Sequence, residues 1–160
     1  MLYTTFRLAH EAGACIASYK KMAKTLGGIN KFGRDTPIPL TRILEVCGLN
    51  NALWVLRCMT DQTAADKLAR IFACDCAERV LPIYENQYPE NNRIRNCIKV
   101  ARQFALGKAT KKELDAARAA AWDAWVAAGD AGFADRVAEI KWQIEHLKEL
   151  LEEEDAKTPI

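Results

Sequence analysis

Apolar residues recur at three- and four-residue steps along the whole chain, and no stretch shows the apolar–polar alternation of a strand. That single periodicity restricts the fold to packed helices. Phe6, Ala9, Ile16, Tyr19, Met22 and Ala23 set a first helix over about residues 2–25, which Gly27 and Gly28 stop. The loop "GGINKFGRDTPIP" follows, rich in turn formers. Two short helices come next, "LTRILEVC" and "NALWVLRC", with Asn50 placed to cap the second.

A fourth helix is expected over about residues 63–86. Ala65, Ala69, Phe72, Cys76, Val80 and Ile83 gather on one side, and Pro82 is expected to kink the last turns or begin a new segment. Cys74 and Cys76 lie about 200° apart around the axis, so they cannot share a metal while the helix persists. Cys76 falls on the apolar side and Cys74 nearer the polar face. The fifth helix, about 92–106, buries Ile94, Cys97, Ile98, Ala101, Phe104 and Ala105 and ends at Gly107. The sixth begins at Thr110, where "TKKE" reads as a capping box, and runs to Gly129 through an alanine-rich stretch holding Trp122 and Trp125. The last, about 133–154, spaces Phe133, Val137, Ile140, Ile144, Leu147 and Leu151 in alternating fours and threes, a heptad-like seam. It reads as a bundle helix, with a homodimer through that seam as the alternative to a monomer.

The expected fold is therefore all-α: a compact helical bundle of about seven helices in a single domain over 1–160, ending in the long heptad-like helix. Within it, 1–60 is a basic N-terminal part, 61–128 a helical core and 130–160 an acidic C-terminal helix. Residues 1–60 carry 8 Lys or Arg against 3 Asp or Glu, whereas residues 111–160 carry 7 against 12. The overall +2 hides this asymmetry, so any charge-driven recognition must rest on a patch. No apolar run is long enough to cross a bilayer, and "MLYTTFRLAHEAG" lacks the basic and apolar regions of a secretory signal. A cytoplasmic address without membrane contact is the expectation, and six cysteines with no Cys-x-x-Cys pair read as free thiols.

Chemistry finds little footing. Gly107-Lys108 lacks the preceding glycine and the following Ser or Thr of a phosphate-binding loop. "LGGINKFG" has no strand before it and is no dinucleotide fingerprint. Six cysteines, His10 and His146 offer no usual zinc spacing. A cysteine nucleophile would want a nearby histidine, and the two lone histidines offer only long-range possibilities: His10 is expected to border the core and His146 to be exposed. Asp75 and Glu78 read as a helix-surface charge network rather than an acid–base pair. No catalytic residue, metal or cofactor is expected.

Charge offers the better leads for binding a partner. One is the cluster Lys20, Lys21, Lys24, Lys31 and Arg34; the other is the stripe Arg95, Lys99 and Arg102, in a stretch, 91–108, without an acid. Either suits an acidic protein surface, or less readily a nucleic-acid backbone. The acidic end, Glu149, Glu152, Glu153, Glu154 and Asp155, offers the reverse option of mimicking phosphate charge.

Two blocks, "GRDTPIPLTRILEVCGLNNALWVLRC" at 33–58 and "LARIFACDCAERVLPIYENQYPENNRIRNCIKVARQFALGKATKKELDAARAAAWDA" at 68–124, resemble the putative immunity protein family. These are helical proteins found beside polymorphic toxins and in phage and other mobile-element genomes. The resemblance implies an all-α, non-catalytic, cytosolic protein that binds and neutralises a toxin or effector protein. It also admits a counter-defence role, such as inhibition of a host nuclease complex of the CRISPR kind.

Overall fold

The computed structural model describes residues 1–128 and 136–156. Its elements run β1 (Tyr3–Thr4), α1 (Phe6–Glu11), α2 (Ile16–Thr25), α3 (Ile29–Phe32), β2 (Ile38–Pro39), α4 (Leu40–Cys47) and α5 (Leu49–Val55). A 3-10 turn (Leu56–Cys58) follows, then α6 (Gln62–Gln87), α7 (Arg93–Ala105), α8 (Lys111–Ala128) and α9 (Arg136–Ala156). The all-α expectation holds, with nine α-helices among the described residues instead of about seven. The chain divides into two units, Met1–Asp66 with Lys141–Ile160, and Lys67–Ile140.

The first unit differs from expectation in its helix breaks and in a strand pair. The expected first helix is two, because Gly13 takes φ 80, a left-handed conformation that glycine adopts freely and that ends a helix. Thr5 caps α1 by accepting from the Leu8 amide at 3.1 Å, and Cys15 accepts from the Ser18 amide to open α2. The loop after α2 contains the single turn α3. A strand pair also exists where none was expected: β1 runs antiparallel to β2, with Tyr3 opposite Pro39 and Thr4 opposite Ile38. Two residues per strand are too few to show a period of two in sequence.

This pair fastens the unit. The Leu40 amide donates to the Leu2 carbonyl, the Thr60 amide to the Tyr3 carbonyl, and the buried Thr4 hydroxyl to the Cys58 carbonyl at 2.6 Å. The unit also buries Phe6, Met22, Leu40, Ile43, Leu44, Ala52 and Val55, together with Leu147 and Leu151 of α9. Asn50 does not cap α5. The helix starts two residues earlier, at Leu49, from Gly48 with no side-chain cap, and Asn51 instead donates to the Cys47 carbonyl at 2.8 Å. The heptad seam places Leu147 and Leu151 in the interior, while Ile140 is 42% exposed. Phe133, at the start of that seam, and Gly129 lie outside the described residues.

In the second unit, α6 continues through Pro82 to Gln87 as one helix, and no new segment begins there. Cys74 is buried with Leu81 and Ile98, against Ala77, Ile94 and Ala101. The expected placement of Cys74 near the polar face is thus corrected: α7 covers that side of α6, and the Cys74 thiol reaches the Ile98 carbonyl. Cys76 is half-buried, its thiol pushed up to about 11, first by burial and then by Glu139 and Asp75. α7 packs along α8, whose capping box forms as expected. The Thr110 amide donates to Glu113 Oε2 at 2.7 Å, and the Glu113 amide donates to Thr110 Oγ1 at 3.3 Å.

Candidate functional site

α2 is held at its start by the Cys15–Ser18 cap, with Cys15 exposed and Ser18 and Tyr19 half-buried. Phe6, itself 2% exposed, meets Tyr19 of α2 edge-on at 5.2 Å and Phe32 of α3 at 6.0 Å. Those contacts leave Lys20, Lys21 and Lys24 of α2, Lys31 of α3 and Arg34 all exposed. Gly33, at φ 102, closes α3, and any Cβ there would run into the Thr36 hydroxyl. That turn places Arg34 so that its carbonyl accepts from the Arg7 amide.

Ion pairing separates the predicted residues into two groups. All three acids of residues 1–60 already have partners: Arg7 binds Asp35 and Glu11, and Arg42 binds Glu45 at 3.0 Å. Lys20, Lys21, Lys24, Lys31 and Arg34 make no ion pair among the described residues. Arg57, also without an acid, lies 5.1 Å over the Trp54 ring.

The stripe on α7 is different. Arg95 grips Glu85 through two nitrogens at 2.7 and 2.6 Å, and its hydrogen bond holds the Glu85 carboxyl below its ordinary value. Arg102 reaches Asp75 at 2.6 Å and Glu78 at 2.8 Å. The charge network expected around Asp75 and Glu78 exists, but its cation comes from α7, while Arg79 pairs with Glu139 at 2.9 Å. Lys99 remains exposed beside these pairs. In the acidic helix, Asp155 meets the Met1 ammonium at 3.1 Å and Glu149 meets His146 at 3.3 Å. Glu152 and Glu153 are exposed, and Glu154 is half-buried. His146 stacks on Trp142 at 4.7 Å and is half-buried, contrary to expectation; His10 is exposed beside Tyr19 rather than at the core edge.

Sequence reasoning missed a cavity of about 330 Å³ in the first unit. Phe6, Tyr19, Met22, Ile43, Trp54 and Val55 give it apolar walls, Asn50 and Asn51 line it too, and among the described residues no charged one does. Cys15 and Cys47 lie on its Ser18 side. Cys15 is exposed and its thiol is lowered by hydrogen bonds from Ser18, whereas burial raises Cys47 against the pull of Lys21. The break at Gly13, which brings Gly13 and Ala14 into the lining, was its one trace in sequence.

Residues 59–132 match the family model of the Imm-5 like putative immunity protein. This is the family the sequence resembles, and the match takes in the whole 68–124 block but not the block at 33–58. No curated protein and no solved structure matches the chain. The matched segment contains the ion-paired Arg95 and Arg102, while the cluster from Lys20 to Arg34, without an ion pair among the described residues, lies before it. No helix among the described residues is long and apolar enough to cross a membrane.

Proposed function

We propose that this chain is a non-enzymatic inhibitor of the immunity type, which neutralises a toxin or effector protein by occupying its surface. The family match supports a protein target. Its docking surface is the exposed side of α2 and α3, where Lys20, Lys21, Lys24, Lys31 and Arg34 meet an acidic face of the target. The observation that carries this choice is that every acid in residues 1–60 is already paired with Arg7 or Arg42, so five cations await external partners. Such complementarity contributes most to association rate and to choice of partner. Arg95 and Arg102 of α7 serve the fold instead, joining α7 to α6.

A nucleic-acid backbone would fit the same unpaired cations, and one experiment separates the readings. The tagged chain is used for affinity capture from host lysate with and without nuclease, beside a Lys20→Glu/Lys24→Glu/Lys31→Glu variant and a Glu149→Lys/Glu152→Lys variant. The proposed inhibitor retains one protein after nuclease treatment, loses it in the first variant and keeps it in the second. Capture that vanishes with nuclease indicates a nucleic-acid-binding module. Loss only in the second variant moves the interface to the acidic helix.

A further inference from the structure

We infer that the apolar cavity of the first unit receives one uncharged, bulky side chain of the target, carried on a segment whose neighbouring residues are acidic. The inference rests on the reading of the basic surface above and adds the part of the target that it engages. Three observations define the occupant. The walls carry aromatic and aliphatic side chains and no charge, which fits an apolar group rather than a carboxylate or phosphate. The volume of about 330 Å³ lies at the small end of ligand pockets, suited to one side chain rather than a length of chain.

Charge at the edges selects the flanks. Lys21 acts on the Cys47 thiol at the Ser18 side, and Arg57 lies over Trp54 on another wall. Neither has an acidic partner among the described residues, while Glu11 and Glu45, on the bordering helices, are paired with Arg7 and Arg42. Ile16, 72% exposed, adds apolar surface next to Cys15. An apolar anchor in a pocket with charge complementarity around it is the arrangement from which a few residues supply most of a binding energy.

The test uses the full chain and three labelled synthetic pentapeptides followed by fluorescence anisotropy. The first has tryptophan between pairs of aspartates, the second alanine between the same pairs, and the third tryptophan between pairs of lysines. The first is expected to bind saturably, with the second and third each about tenfold weaker or worse. Ala9→Phe, which fills the cavity, and Asn50→Trp, at an exposed lining position, are expected to weaken the first peptide by a similar factor. Asn50→Trp keeps the test valid if Ala9→Phe fails to fold. Equal binding of the tryptophan and alanine peptides, no effect of Asn50→Trp, or no saturable binding by any peptide overturns the inference. Equal binding of the aspartate and lysine peptides, with tryptophan still required, overturns the acidic-partner reading and the acidic flanks inferred here, leaving only an apolar anchor.

Discussion

Leu147→Ala distinguishes a seam used within the chain from one used between copies. Leu147 is 0% exposed and Leu151 2% exposed in the first unit. Truncating Leu147 removes three carbons, whose transfer is worth about 2.4 kcal/mol at about 0.8 per methylene. Incomplete collapse of the space left behind adds to this, so the expected loss is about 3 kcal/mol. For a chain of this length that lowers Tm by about 6–12 °C. Ile140→Ala, on the same helix but at a residue 42% exposed, is the control and is expected to cost about 1 kcal/mol or less. Guanidinium unfolding followed by circular dichroism gives both values at one protein concentration, and sedimentation equilibrium gives the mass. The reasoning is refuted if Leu147→Ala costs less than about 1 kcal/mol while converting a dimer to a monomer. That result would place the seam between copies.

Three further outcomes follow from local geometry. Iodoacetamide at about pH 7.5 is expected to alkylate exposed Cys15 first and Cys76, pushed up to about 11, last, as read by peptide mapping. Thr110→Ala removes the cap of α8 and is expected to cost about 1 kcal/mol in urea unfolding. Glu85 is held low by Arg95 and Glu113 by the Thr110 amide, both below the ordinary 4.5. A carboxyl lowered by folding stabilises the folded state above its unfolded pKa and loses that contribution as pH falls through the folded one. The urea midpoint is therefore expected to drop below pH 4.5, and less steeply in a Glu85→Gln/Glu113→Gln variant.

What was legible in the sequence were the features that neighbouring residues decide. The spans of α4, α6 and α7, the stops at Gly27–Gly28 and Gly107 and the Thr110–Glu113 box each depend on residues within a few positions, and each appears where expected, whereas Ile83, expected on the apolar side of α6, is exposed. Features set by distant residues were not legible. α7's Arg95 and Arg102 look unopposed because their acids, Asp75, Glu78 and Glu85, belong to α6. Cys74 was misplaced because a helical wheel shows which residues share a face but not that a second helix covers another face. β1 and β2 depend on a pairing across more than thirty residues. The cavity has walls from four helices and no motif. Gly13 was a local signal, passed over because the apolar spacing resumes in register beyond it.

The division of the chain into units has a consequence for its synthesis. Lys67–Ile140 is one uninterrupted stretch of the chain, complete once residue 140 has emerged. Met1–Asp66 is made first, yet it belongs with Lys141–Ile160, and Leu147 and Leu151 are among its buried residues. At about 5–20 residues per second, the first sixty residues wait for several seconds or longer before α9 is available to complete their core. During that interval the basic surface of α2 and α3 has already been made, while Leu147 and Leu151, which the unit buries, have not. The part of the molecule proposed to meet the target is thus translated first and completed last.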